Sequence, residues 1–430
     1  MQAITVKKAL ALSAACILVA YPILLLSVVS SMSVSFVGLV IIALITLIWK
    51  GRTAINGSAP DIAFSAAMSS LFLATLFSAI YHSGFRSAVL DSPSRFLLAI
   101  IIYFALKQVS VRYTGMLQYG LPLGVLSGFL TSVFFPSHYW SVQTTYFVDP
   151  PTFAGAILIL GTLSLMSVNW LRPDPLFLVI AKVAAFMLAL YCAVKSTERG
   201  VWIAVPVLLL ILGSKIPSKL RFFVGIGLLL LIAAIYVSMP EISARLAQTR
   251  AEFASILDRN LENPIGWRLQ MWIVAAHLFS GNLLAGVGPT GVEDSLRQAA
   301  VEHHLTPAGL DAALSQIHSE VLAKALALGV PGVLAILAVY LVPLALFVHS
   351  AKTSPGHIHR TAGMMGVLLV IAYMIFGLSI ETFNLKMTAS FYATTVAVLL
   401  AIARSEREET LCANNTDYGR LNRSRPAAPY

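Results

Sequence analysis

Charge is what this 430-residue chain has least of: Asp, Glu, Lys and Arg together make up 11%, against 58% hydrophobic residues. Mean hydropathy is +0.83. That balance excludes a soluble enzyme with an ordinary polar surface and describes a polytopic membrane protein. Cysteine is almost missing as well. Cys16 and Cys192 fall in apolar runs and Cys412 in a polar tail, so no pair is placed for a disulfide or a metal site. The expected external loops hold no Asp-x-Asp pair. Neither an internal repeat nor the paired broken helices of transporters can be found.

What the chain does have is a series of long apolar runs. A spanning helix needs about 20 apolar residues, and the charged punctuation divides the chain into twelve helices: 9–30, 34–49, 62–82, 94–108, 115–135, 152–170, 176–194, 201–213, 222–238, 319–348, 361–380 and 387–403. The second and eighth are short enough to be tilted or to extend into polar flanks. The fold class expected is therefore all-α, with transmembrane helices one to nine in residues 1–238, a large external loop at 239–318, helices ten to twelve in 319–403 and a disordered tail at 404–430.

Basic residues outnumber acidic ones by 29 to 19, and their distribution is uneven. With the N-terminus inside, Lys7, Lys8, Lys50, Arg52, Lys107, Arg112, Arg172, Lys215, Lys219, Arg221, Lys352 and Arg360 all face the cytoplasm. The alternate short loops hold only Arg86, Arg95, Lys195, Arg199 and Lys386. By the positive-inside rule both termini are cytoplasmic and 239–318 is external. The positive excess thus reports topology and not nucleic-acid binding. Tyr139, Trp140, Tyr146 and Phe147, in a short external loop, suit an interfacial aromatic belt, with stacking on a sugar as the alternative.

Within the external segment, Ile242, Leu246, Phe253, Ile256 and Leu257 recur near helical spacing, which predicts an amphipathic helix over 242–261 lying along the membrane face. A second helix is expected from Trp267 to about Phe279, burying Trp267, Met271, Trp272, Val274, Ala275 and Leu278. Gly286-Val287-Gly288-Pro289-Thr290-Gly291 then matches the G-x-G-x-x-G dinucleotide fingerprint, with Asp311 twenty residues after its last glycine. No strand-turn-helix pattern surrounds it, so a tight turn returning the chain to the membrane is the better expectation.

Ionisable groups near the bilayer are costly and are therefore candidates for function. Arg199 stands in Ser196-Thr197-Glu198-Arg199-Gly200, a polar break with hardly any loop between two apolar helices. It can pair with Glu198 or snorkel to headgroups, or its guanidinium fork can clamp a phosphate. Arg268 lies one turn from Trp272. His318 closes the polar interval, and its helix face carries Leu322, Ala325, Gly329 and Gly332, whose small members imply close helix packing. Arg86 and Arg95 could add to an anion site, but Arg95 can equally pair with Asp91.

Taken in order, Ser196-Thr197-Glu198-Arg199-Gly200-Val201-Trp202, Gly266-Trp267-Arg268-Leu269-Gln270-Met271-Trp272, Leu284-Ala285-Gly286-Val287-Gly288-Pro289, His318-Ser319-Glu320-Val321-Leu322 and Leu328-Gly329-Val330-Pro331-Gly332 resemble the O-antigen ligase and polymerase superfamily. The length and the single dominant external loop look more like the ligase branch. The resemblance implies a GT-C-like, metal-independent, inverting glycosyltransferase without cofactors, in the inner membrane of a Gram-negative bacterium. Its donor would be a glycan on undecaprenyl diphosphate and its acceptor the lipid A-core of lipopolysaccharide. His318 would be the catalytic base, and Arg199 and Arg268 would bind the diphosphate. A polymerase using the same donor, and a lipid-glycan transporter without chemistry, are the alternatives.

Overall fold

A computed structural model describes residues 2–51, 57–213, 240–302 and 305–405. The expected helix 222–238, the basic positions Arg52, Lys215, Lys219 and Arg221, and the tail from 406 onward lie outside the described residues. With no water in a bilayer core to bond to, each apolar run satisfies its own backbone as a helix. Among the described residues, eight such helices precede the polar interval: α1 (Gln2–Leu25), α2 (Ser31–Lys50), α3 (Ala59–Tyr81), α4 (Asp91–Leu106), α5 (Leu117–Phe134), α6 (Pro150–Met166), α7 (Leu176–Lys195) and α8 (Arg199–Leu212). The interval itself contains α9 (Pro240–Leu257), α10 (Pro264–Gly281), α11 (Val292–Val301) and α12 (Pro307–Ser315). Last come α13 (Glu320–Thr353), α14 (His357–Phe376) and α15 (Lys386–Ala403).

This is an all-α polytopic membrane protein. Nine segments of the described residues are long and apolar enough to cross a bilayer, while α6 and α8 are apolar but shorter. The expected second helix does extend into its flanks, to Ser31 and Lys50.

Polar contacts sort the helix ends into two groups. At one end Lys107 and Arg404 converge on the buried Asp61 of α3, Lys50 bonds to Gln108, and Lys182 pairs with Asp174. The opposite end gathers Asp91 with Lys386, Ser92 with the Phe383 carbonyl, and Arg199 with Glu252. The pairings agree with the alternation of helix ends read from the basic loops, and they place α9 at the end opposite the lysine-rich one.

A second, smaller core holds the interval to the bundle. Met271, Val274 and Ala275 of α10 pack with Leu296, Ala299, Ala313 and Ile317 against Ala323 and Leu326 of α13. Trp267, Trp272 and Leu278 are only partly buried, at the edge of this core.

α13 is not continuous. Gly329 has φ 69° and ψ −154°, a conformation essentially reserved for glycine. The Gly-rich turn fills the gap: Val330 N–H donates to the Leu283 carbonyl at 2.8 Å, and Val287 N–H to that of Leu326 at 2.9 Å. Ser78 of α3 donates to the Ala285 and Ala327 carbonyls. The backbone groups freed by the break are thereby satisfied, and the apparent dinucleotide motif is a plug in a broken helix. Its Gly286 and Gly288 have left-handed φ of 66° and 84°.

Candidate functional site

Only Ser196, Thr197 and Glu198 separate α7 from α8. Thr197 takes φ 58° to make the corner, and Arg199 opens α8. Gly200 follows because there is no room for more: a Cβ there would collide with Ser379 Oγ. The corner is thus pressed against the short connection between α14 and α15.

Arg199 does not pair with Glu198 as the sequence suggested it could. Its two terminal nitrogens donate to the two carboxylate oxygens of Glu252 on α9, at 2.6 and 3.0 Å. This is the fork-to-fork geometry in which guanidinium meets carboxylate or phosphate. The pair holds Glu252, 5% exposed, below the usual carboxylate range. α9 accordingly turns its polar face inward, with Arg245 and Glu252 seven residues apart and on one side. Three side chains of its apolar stripe face out: Leu246, Phe253 and Leu257 are 42%, 57% and 85% exposed, while Ile256 is half-buried. That is the arrangement expected of a helix lying on a lipid surface.

Arg268 reaches the same place from the first turns of α10. Asn263 caps α10 by accepting from the Ile265 and Gly266 N–H groups. Glu198, Arg199, Arg245 and Arg268 then line one cavity together with Ser379 and Ile380. Burial pushes the Glu198 carboxyl up to about 7 despite the opposing pull of Arg268, Arg245 and Arg199. Three arginines set against the Glu252 carboxylate and the half-neutralised Glu198 keep a positive surplus, which suits an anion in a medium of low dielectric. The cavity has about 60 Å³ of free space, enough for a few water molecules and too little for a sugar diphosphate.

His318 stands next to this cavity, on the residue pair that leads into α13. Its backbone is left-handed, φ 54°, uncommon for a residue with a Cβ. The surroundings impose it from both sides. Trp272 of α10 donates to the Ile317 carbonyl at 3.2 Å, the Ile317 N–H donates to Glu381, and the Glu320 N–H donates to the Gly377 carbonyl at 2.8 Å. Ser319 caps the helix, and the buried Glu320 accepts from the Phe383 N–H and the Thr382 hydroxyl.

The imidazole itself contacts a backbone carbonyl, Nδ1 to Ser379 O at 3.2 Å. A carbonyl can only accept, so Nδ1 carries the proton and Nε2 is left with its lone pair. Burial first, and the positive charge of Arg268 second, hold the ring's pKa down at about 4. His318 is therefore a neutral proton acceptor placed beside Arg268 and next to the arginine cavity.

Of the residues singled out in the sequence, Arg199, Arg268 and His318 come together around Ser379. Arg86 and Arg95 do not: Arg95 lies over the Phe36 ring at 5.2 Å, and Asp91 pairs with Lys386 instead. Glu198, Arg245, Glu252 and Ser379 belong to the site without having been singled out. Arg245 and Glu252 share the polar face of an amphipathic helix, a periodicity signal that was available. Ser379 acts through its carbonyl, for which no sequence signal exists.

A family model described as O-antigen ligase matches residues 184–337. The match supports a member of the O-antigen ligase/polymerase superfamily and, with it, a glycosyltransferase-like activity on a lipid-linked glycan. Its span takes in Glu198, Arg199, Arg245, Glu252, Arg268 and His318. No curated protein matches the chain.

Proposed function

We propose, with that match as the premise, that the chain is an O-antigen ligase. It would move a glycan from undecaprenyl diphosphate to the lipid A-core of lipopolysaccharide, at the periplasmic face of a Gram-negative inner membrane. The observation that carries the proposal is a neutral imidazole with a free Nε2 next to a small three-arginine cavity. His318 Nε2 takes the proton of the attacking sugar hydroxyl as its oxygen bonds to the donor's anomeric carbon. The bond from that carbon to the diphosphate oxygen breaks, and Arg199, Arg245 and Arg268 receive the developing charge. Attack opposite the leaving group inverts the anomeric centre.

The donor cannot enter the cavity as it stands. Glu252 occupies the Arg199 fork in the geometry a phosphate would use, so donor binding exchanges one anion for another and α9 must shift to allow it. The incoming diphosphate also offsets Arg268, one of the two causes that depress the His318 pKa. Base strength at His318 therefore rises when the donor arrives.

Purified protein incubated with a lipid-diphosphate glycan and lipid A-core, without added divalent metal, should yield the joined product. Supplying a second lipid-linked glycan in place of lipid A-core tests the polymerase reading, and product there alone would replace the ligase assignment. His318→Asn tolerates the left-handed backbone and keeps an N–H donor for Ser379, yet transfer should fall on the order of 10²–10⁴-fold. Near-normal transfer by this variant would sink the base assignment. Arg268→Ala should raise the donor KM more than the acceptor KM.

A further inference from the structure

A second cavity, of about 320 Å³, backs onto the first. Two short chain segments separate them, 316–318 and 379–381, cross-linked in both directions. The Ile317 N–H donates to Glu381 Oε1, the Glu381 N–H donates to Gln316 Oε1 at 3.2 Å, and His318 Nδ1 bonds to Ser379 O. Ser379 and Ile380 face the arginine cavity, whereas Gln316, Ile317 and Glu381 face the other. The histidine thus sits on the seam between two chambers.

The chambers differ in charge. The second presents Lys324 and Lys386 against Glu381 and Asp91, with Asn384 and Gln316 among them. Lys324 is further balanced by Glu320 behind it, at 3.2 Å, and Lys386 pairs with Asp91. No cation is left in surplus to hold an anion. Carboxylates, amides and ammonium groups set close together are instead a mixed donor and acceptor lining, suited to neutral hydroxyls, which both donate and accept. The volume is at the lower end of the roughly 300–1,000 Å³ of small-molecule sites.

We propose that this second chamber binds the acceptor, as an uncharged polyhydroxylated sugar terminus, with Lys324 and Glu381 as its binding residues. The proposal rests on the transferase reading above. A transfer reaction needs two substrates to reach one base from different sides, and the seam at His318 supplies two sides of different chemistry, one cationic and suited to an anion, the other charge-balanced and suited to neutral hydroxyls. A hydroxyl of the sugar held by Glu381 would lie one peptide step from the His318 segment.

The test compares wild type with Asn384→Trp and Glu381→Gln. Asn384 is exposed at the rim, so tryptophan there fills the chamber without touching a buried ion pair. The amide oxygen introduced by Glu381→Gln retains an acceptor for the Ile317 N–H. In initial-rate assays both variants should raise the acceptor KM at least tenfold and leave the donor KM within twofold, the reverse of Arg268→Ala. An unchanged acceptor KM, or a donor KM that rises instead, overturns the assignment. A binding arm is independent of turnover: saturation-transfer NMR of a delipidated, dephosphorylated core oligosaccharide with the detergent-purified full chain. Signals present with wild type and lost with Asn384→Trp support the chamber as a sugar site even if no transfer is found and the ligase reading fails. Signals absent from wild type, retained in Asn384→Trp, or seen only with the phosphorylated oligosaccharide overturn it.

Discussion

Above a pH of about 4 the imidazole of His318 is neutral, and at about 7 the Glu198 carboxyl loses its proton. Under the proposed mechanism the two groups bracket a working range. Below it, His318 in the free enzyme is protonated and cannot accept the hydroxyl proton. Above it, Glu198 adds a negative charge to the arginine cavity and weakens its hold on an anionic donor. The kcat/KM for donor should therefore rise with pH through about 4 and fall through about 7. Because the bound diphosphate offsets Arg268, the acid limb of kcat should lie higher than that of kcat/KM, as expected when the two report complexed and free enzyme. Glu198→Gln should flatten the alkaline fall and leave the acid limb in place. pH–rate profiles of wild type and this variant check both limbs, and an acid limb near the ordinary imidazole value in kcat/KM would contradict the buried, arginine-flanked ring.

At the scale of elements, the break in α13 sets the geometry of the piece that leads from the His318 seam. The nine-residue piece from Glu320 to Leu328 carries the His318 seam at its start and is pinned by the Gly-rich plug at its end. At Gly329 a methyl group would collide with the Leu283 carbonyl oxygen, in backbone torsions that side chains avoid. Gly329→Ala should cost roughly 1–3 kcal/mol and lower the thermal midpoint of the detergent-solubilised protein, followed by tryptophan fluorescence. Gly281→Ala, which meets nothing within 4 Å, should leave it unchanged.

How much of this could be read beforehand varies with the physics involved. Helices such as α3 and α14 are spelled out by length and hydropathy, because a bilayer leaves the backbone no other option. The Gly-rich plug was legible as a turn but not as a turn inserted into another helix, since its partner lies some forty residues on, at Gly329. α9 shows a further limit. Its periodicity gives two faces, but which one turns inward depends on Arg199, brought to it from fifty-three residues away. The Glu381 side of the seam was missed for a plainer reason: a lone acid between two apolar runs looks like a helix boundary.

For the molecule as a whole, the sorting of polar contacts into two ends makes a topological prediction. In a background with the native cysteines removed, Asn384→Cys and Lys352→Cys place single thiols at exposed positions on opposite ends. A membrane-impermeant maleimide added to cells with a permeabilised outer membrane should label the Asn384→Cys protein and spare the Lys352→Cys protein. Labelling of the second alone would invert the orientation and put the arginine cavity on the cytoplasmic side. Labelling of both would contradict the segregation of helix ends.

The outward stripe of α9 gives the surrounding lipid a role in this layout. One rigid helix presents Phe253 and Leu257 to the outside and Glu252 to the arginine fork, so whatever grips the stripe also sets how easily the fork is vacated. A flat bilayer and a curved micelle grip it differently. The affinity for donor would then belong jointly to the protein and its solvent, and moving the purified chain from detergent into nanodiscs should change the donor KM while the acceptor KM stays where it was.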